Sequence, residues 1–351
     1  MKKTLVAIAV AAFAATSANA ATVYEKDGTK VDINGSVRLM LNKKTDNRTD
    51  LQNDGSRFKF KFSQQLGEGL SALGYMELRP SGDDFDSNIK TNKVYAGFTQ
   101  DNVGTLTFGK RLTAGDNFKL ADPTEQFLSV VTATDLKTSS SKVVDFTSAN
   151  FNGFGFQTSY VFGDDATKKD NPNQNGYQVL ASYENDFDGL GIAAHALYSN
   201  VKHELNSNKT YNHKVWGLAA AVNYAGLGFA VDYAQAKVSD KRSFGFQLDG
   251  NEPPKPTKLT PPGLDINKSK AWQIATTYQV NDPLDVYVAY HQFKFENESG
   301  KKDAKVKGFA IGSHYNLTQN VKTYVEYTSE KGNWDKAKRE NAYYAGLRVY
   351  F

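Results

Sequence analysis

The sequence predicts an all-β fold, a 16-stranded antiparallel transmembrane β-barrel. Three observations carry the prediction. Apolar and polar side chains alternate with a period of two along most of the chain, as on a strand with two unlike faces. Short turns alternate with long loops, and an export leader precedes a chain with no cysteine and no second long apolar run.

The leader comes first. Lys2 and Lys3 precede the apolar run Leu5 to Ala15, and Ala18-Asn19-Ala20 places small residues at the cleavage positions. This is the three-part pattern of a signal peptide, 1–20, cleaved before Ala21. The run is too short to span a bilayer, which takes about 20 apolar residues. Residues 21–351 contain no linker and read as a single barrel domain. Removing Lys2 and Lys3 takes the net charge from +4 to +2, which argues against nucleic-acid binding, where a clustered basic face is needed. The 19 Tyr and 22 Phe suit aromatic girdles at two membrane interfaces.

The strands follow in order. The first expected span, 30–42, alternates Val31, Ile33, Val37, Leu39 and Leu41 with Asp32, Asn34, Ser36, Arg38 and Asn42. The second, 56–66, contains Arg57-Phe58-Lys59-Phe60-Lys61-Phe62, three phenylalanines on one face and three cations on the other. A Lys on the lipid face costs about 2–4 kcal/mol at midplane, so the cations are expected to face a watery interior. Further strands are expected at 69–80, 91–100, 103–111, 141–150, 154–163, 176–186, 190–200, 213–224, 227–238, 269–280, 284–296, 305–316, 319–330 and 341–351. In the last, Tyr343, Ala345, Leu347, Val349 and Phe351 alternate with Tyr344, Gly346, Arg348 and Tyr350. An even count returns both chain ends to one side of the membrane.

Turns such as Gly67-Glu68-Gly69, Asn152-Gly153 and Ala225-Gly226 alternate with long connections at 43–55, 81–90, 112–140, 164–175, 201–212, 239–268, 297–304 and 331–340. Short periplasmic turns opposite long external loops are the organisation of an outer-membrane barrel, and a soluble sandwich has no reason to sort its loops this way. The stretch 251–263 carries Pro253, Pro254, Pro256, Pro261 and Pro262, which cannot extend a ladder and read as surface loop. Residues 112–136 have room for a short helix.

The order and spacing of several segments resemble Gram-negative general porins along the whole mature chain. They are Tyr24 to Gly28 with Val31 to Gly35, Ser56-Arg57-Phe58 with Leu66 to Ala72, Ala96-Gly97-Phe98 with Val103 to Lys110, Tyr315 to Thr318, and the terminal Phe351. The resemblance implies a homotrimer with a third loop folded into the barrel, acidic residues on that loop and basic residues on the wall opposite. Carried over residue by residue, it implies wall cations at Arg57 and Lys93, with Lys142 a further candidate. Ser36 stands where some members have a third cation, a place Arg38 can serve. The third loop is then 112–140, with Asp116, Asp122 and Glu125 as its acids. Where many members carry Pro-Glu-Phe-Gly, this chain has Pro123-Thr124-Glu125-Gln126-Phe127. The terminal Leu347, Val349 and Phe351 are the expected assembly signal.

The expected function is a water-filled channel in the bacterial outer membrane for passive diffusion of ions and small hydrophilic solutes. With Arg38, Arg57, Lys59, Lys61 and Lys93 all pointing inward, charged walls in a low-dielectric frame tilt selectivity mildly toward anions. Expected partners are two further copies of the chain, outer-membrane lipid and lipopolysaccharide, the barrel-assembly machinery and the solutes. No cofactor is expected. Five histidines show no metal-like spacing, and no Ser/His or carboxylate constellation of an enzyme barrel can be assembled. His203 and His213 are expected in or near an external loop, exposed to solvent.

Overall fold

Alternation becomes ladder almost everywhere in the computed structural model, which describes residues 21–83, 85, 88–163, 173–205, 209–239, 266–297, 303–334 and 337–351. The expected leader and the proline-rich stretch 251–263 lie outside the described residues. The strands are β1 (Ala21–Lys26), β2 (Thr29–Lys44), β3 (Asp50–Asn53), β4 (Arg57–Gly67), β5 (Leu70–Pro80), β6 (Ile89–Gln100), β7 (Gly104–Leu112), β8 (Ser139–Ser148) and β9 (Phe154–Val161). They continue as β10 (Asn173–Phe187), β11 (Leu190–Leu205), β12 (Lys209–Tyr224), β13 (Leu227–Val238), β14 (Ile266–Asn281), β15 (Leu284–Asn297), β16 (Ala304–Thr318), β17 (Val321–Gly332) and β18 (Arg339–Tyr350). One helical turn, α1 (Val130–Ala133), falls inside the expected 112–136.

Each strand from β4 onward pairs antiparallel with the next, and β18 pairs back onto β2. β2 and β4 to β18 therefore close a 16-lane barrel, which leaves no free edge. β1 and β3 are additions that period-two reading did not separate. β3 pairs Leu39 to Asn42 of β2 beyond the end of β4. β1 continues the lane of β18, because Phe351 bonds Gly35 in both directions while Ala21 stands opposite Ile33. The two chain ends thus complete one lane between them.

Turn chemistry fixes one rim. Glu68-Gly69, Asn152-Gly153, Asp188-Gly189 and Ala225-Gly226 each hold both residues at positive φ, the turn whose twist matches paired strands. The loop expected at 201–212 is shorter than its composition suggested. The ladder of β11 and β12 runs on to Leu205 and Lys209, with Lys202 opposite Asn212. Polar strand residues that pass the membrane rim read as loop in sequence.

The two faces separate as the alternation requires. Phe58, Phe62, Phe98, Phe108, Tyr160, Phe229 and Val325 are exposed, and the residues between them turn inward. No helix among the described residues is long and apolar enough to cross a membrane. The buried core lies within the lumen, between the inner wall and the loop that follows β7.

Candidate permeation pathway

The inner loop, residues 113–138, is hydrogen-bonded in turn to inward side chains of a wide arc of wall. Ala114 N–H donates to Ser159 Oγ (2.8 Å) and Gly115 N–H to Gln178 Oε1 (2.9 Å). His195 Nδ1 reaches Phe118 O at 3.1 Å. The buried Asp232 carboxylate accepts from Leu120 N–H (2.9 Å) and Ala121 N–H (3.1 Å), and Gln273 Nε2 donates to Ala121 O (2.7 Å). Glu326 accepts from the amides of Glu125 (2.8 Å) and Gln126 (2.9 Å), while His291 Nδ1 meets Leu128 O at 3.0 Å. A segment touching β9 to β17 through their inward residues can only lie inside the barrel. Its irregular backbone is satisfied by wall side chains, as such backbone must be at membrane depth.

The wall is cut to receive it. Phe118 is fully buried against Gly217, where any added Cβ would stand 2.4 Å from the ring. Phe127 stacks on His291 with centroids 4.2 Å apart, beside Gly308, where a Cβ would meet the His291 ring at 2.8 Å. Ala219, Ala234, Ala271, Ala289 and Ala310 complete a small-residue floor.

Opposite the loop stands the basic wall. Arg38 of β2, Arg57 and Lys59 of β4, Arg79 of β5 and Lys93 of β6 gather around Glu77, within electrostatic reach of one another. Glu77 is 1% exposed and accepts from Arg79 Nε (2.5 Å), Asn92 Nδ2 (2.7 Å) and Tyr75 OH (3.1 Å). Arg38 Nε donates to Ser36 Oγ (2.9 Å), so the hydroxyl at the position without a cation orients its neighbour. Arg57 Nε donates to Gly55 O (2.9 Å). Five cations outnumber Glu77 and the neighbouring Asp54 and Asp116, which leaves this wall positive.

The loop acids have separate fates. Asp116 lies near Lys119 and Lys93. Asp122 pairs with Lys119 at 2.5 Å. Glu125 is tied into the wall by a fork of Arg348, whose Nη1 lies 3.0 Å away, by His314 Nε2 at 3.0 Å and by Lys322 at 3.6 Å. Burial alone would raise the Glu125 carboxyl. The His314 hydrogen bond and the Arg348 and Lys322 charges outweigh it and hold the group at about 2. Arg348 also binds Asp54 at 2.8 Å, so the loop tip, the first external segment and β18 share one ion-pair knot.

Two sequence expectations need correction. Lys142 does not line the lumen. It shares the outward parity of Val144 and Phe146, while Val143 and Asp145 are the buried, inward residues of β8. Between the pairs Gly109–Val143 and Arg111–Ser140 β8 carries one residue more than β7, a bulge at Ser141 and Lys142 that changes the local phase of the pairing. His203 and His213 are not solvent-exposed. Both are buried, because the extended β11 and β12 carry them inward, where His203 stacks on Tyr211 (4.6 Å). The other named residues sit as follows: Arg38, Arg57, Lys59, Lys61 and Lys93 on the inward parity, and Leu347, Val349 and Phe351 on the outward face. Sequence reading missed Glu77, Arg79 and Arg348 as members of the charged lining. The signal was available, since Arg348 alternates with outward Leu347 and Val349 and Glu77 and Arg79 alternate with Met76 and Leu78.

A profile of the Gram-negative porin family matches residues 7–335. The "Major outer membrane protein" of Pasteurella multocida (strain Pm70) is 39% identical, with all of both chains covered. Among solved structures, the trimer form of OmpT, an outer membrane protein of Vibrio cholerae, superposes with a TM-score of 0.72 at 17% identity, covering 93% of this chain and 100% of that one. An anion-selective porin from Comamonas acidovorans superposes with a TM-score of 0.70 at 16% identity, covering 92% and 100%.

Proposed function

We propose, from the premise that this chain belongs to the Gram-negative porin family, that its lumen conducts ions and small hydrophilic solutes passively with a mild tilt toward anions. The protein is an outer-membrane porin, of a family of channels rather than of enzymes. The observation that carries the tilt is the group of Arg38, Arg57, Lys59, Arg79 and Lys93, which outnumbers Glu77 and the neighbouring Asp54 and Asp116. The inner loop narrows the passage on the other side, where Asp122 is paired with Lys119 and Glu125 is matched by Arg348. The carboxylates facing the pore are thus largely compensated and the basic wall is not. Low-dielectric walls focus that excess on the passing solute.

The working assembly is a homotrimer, as general porins are. Residues 1–20 direct export. The outward stripe of Leu347, Val349 and Phe351 is the segment read during barrel assembly in lipopolysaccharide-rich membrane. The tilt is tested by the reversal potential of the pore in a potassium chloride gradient across a planar bilayer. Replacing Arg57 and Lys93 by glutamine moves that potential toward cation preference, and an unchanged potential refutes the assignment. Heat-labile migration in mild detergent at three times the chain mass tests the trimer.

A further inference from the structure

We propose that His195, His291 and His314 hold the inner loop as imidazolium cations, so that the bore of the pore depends on the proton. All three are buried on the inner wall, His195 on β11, His291 on β15 and His314 on β16. Each bridges a wall carboxylate and an oxygen of the inner loop. His195 Nδ1 lies 3.1 Å from Phe118 O, and its Nε2 lies 3.0 Å from Glu184 Oε1 of β10. His291 Nδ1 lies 3.0 Å from Leu128 O, and its Nε2 lies 3.2 Å from Glu330 Oε1 of β17. His314 Nε2 lies 3.0 Å from Glu125 Oε1 of the loop, and its Nδ1 lies 2.7 Å from Asp285 Oδ1 of β15. The same arrangement thus recurs at three points along the loop.

Acceptor counting assigns the charge. A carbonyl or an ionised carboxylate oxygen offers only lone pairs, and a neutral imidazole carries a single N–H. The neutral ring serves one of its two oxygens and turns a lone pair on the other. Imidazolium has two N–H groups and serves both. At His291 the need is greatest. Among the described residues neither its Nε2 nor Glu330 Oε1 has a hydrogen bond, so the attraction of opposite charges across 3.2 Å is what offsets their burial. Phe127 and Phe293 stack on that ring, and Tyr287 packs 5.0 Å from the ring of His314.

Loss of the proton has a direction. A hydrogen bond to an ionised acceptor is roughly twice as strong as one to a neutral acceptor. The neutral ring therefore keeps its N–H on Glu184 or Glu330 and turns its lone pair on Phe118 O or Leu128 O. The bond that fails is the one to the loop. At His314 both oxygens belong to carboxylates, and the shorter contact is to Asp285, so the Glu125 contact fails there. Lys322 and Arg348 still hold Glu125, which leaves the loosening mainly at Phe118 and Leu128. The side chains of Glu184 and Asp285 are 25% and 27% exposed, so the water of the lumen has access to two of the three pairs.

The proposal rests on the pore reading, so the rings are also observed directly. An imidazole in water loses its second proton at about pH 6.5, and measurements at about pH 5.5 and 9 bracket that value. In nitrogen-15 spectra of the full chain folded in detergent, the three rings carry two N–H groups at pH 5.5 and one at pH 9. Neutral rings at pH 5.5 overturn the proposal whatever the conductance. Planar-bilayer recordings use about 1 M potassium chloride, where screening confines wall charge to roughly 3 Å. The wild-type pore is steady at pH 5.5 and larger and noisier at pH 9, and the size limit for neutral oligosaccharides in liposome swelling rises with it. Each loop bond lost weakens docking about tenfold. Glu184→Gln combined with Glu330→Gln removes the alkaline rise, because a neutral ring accepts from the glutamine amide and keeps its N–H on the loop. A loop loosened at both pH values in that variant, or an alkaline rise of full size, overturns the proposal, as does a wild-type pore unchanged between pH 5.5 and 9. Absence of conductance steps at either pH counts against the pore reading instead, and the nitrogen spectra still decide the proposal.

Discussion

Replacing Asp232 by alanine removes the acceptor on which the middle of the inner loop hangs. The carboxylate is fully buried and takes the amides of Leu120 at 2.9 Å and Ala121 at 3.1 Å. A hydrogen bond to a charged group contributes about 1.5–3 kcal/mol, so two such bonds amount to about 3–6 kcal/mol of docking energy. Water entering the lumen can solvate the freed amides, which places the effect at the lower end. About 3 kcal/mol shifts a docking equilibrium on the order of a hundredfold. The anchors at Ser159, Gln178, His195 and Glu326 remain and Gln273 still donates to Ala121 O, so the loop is loosened around 119–122 and held at both flanks. The expected result is a larger and noisier single-channel conductance, with a raised size limit for oligosaccharides in liposome swelling. Asp232→Asn keeps one carbonyl acceptor and falls between. If Asp232→Ala shows wild-type conductance, noise and size limit, the loop is not held by this bond and the reasoning fails.

Gly217→Val places a branched side chain where a single Cβ already stands 2.4 Å from Phe118, so the ring must leave its pocket. Conductance rises as for Asp232→Ala, while the heat-labile mobility of the folded barrel is retained. Glu125 gives a pH dependence with a definite sign. Its carboxyl is held at about 2, below the ordinary value of about 4.3. The knot with Arg348 is at full strength above the ordinary value and is lost as pH falls through about 2. Followed by the carboxyl chemical shift of Glu125, the pair therefore persists until close to pH 2, and Arg348→Gln moves the transition upward toward 4. Phe98→Lys puts a charge on the lipid face at a cost of up to about 2–4 kcal/mol, read as a lower urea midpoint for refolding into liposomes. Lys59→Phe, on the inner face, does not incur that lipid cost.

What was legible in the sequence follows from what period two can encode. A strand with a wet face and a lipid face alternates, so the lanes and the inward direction of Arg57, Lys59 and Lys61 could be read directly from the residues of β4. Loop length was legible only where composition changed. β11 and β12 pass the rim as paired strands with polar residues such as Asn200, Lys202 and Asn212, and alternation alone cannot say where lipid ends. Lys142 failed for a related reason: it sits in a bulge of β8 against β7, just where the spacing carried over from the family needed to hold. The partners of the inner loop were out of reach. Asp232 meets Leu120 and Ala121 across more than a hundred positions, and Glu326 meets Glu125 across about two hundred, distances over which no local pattern reports.

The same geometry separates two kinds of stability in this molecule. The sheet is closed by backbone hydrogen bonds in sixteen lanes, and its outer face is solvated by lipid. The buried apolar side chains are instead concentrated where Phe118, Leu120, Phe127, Val130 and Leu136 of the inner loop meet an alanine and glycine floor. Removing one of those contacts changes the docking of a loop and leaves the ladder intact. Substitutions such as Asp232→Ala and Gly217→Val therefore tune the bore of the pore without opening the barrel. The wall cations belong to the ladder itself: Arg57, Lys59 and Lys93 stand on paired strands, so their positions persist when the loop moves. Widening the passage this way moves Asp116, the loop acid that lies near Lys93, away from the basic wall, which strengthens the influence of the wall on permeating anions. Size limit and anion preference should then rise together in the loop variants, and fall apart in the Arg57 and Lys93 variants, where preference alone is lost.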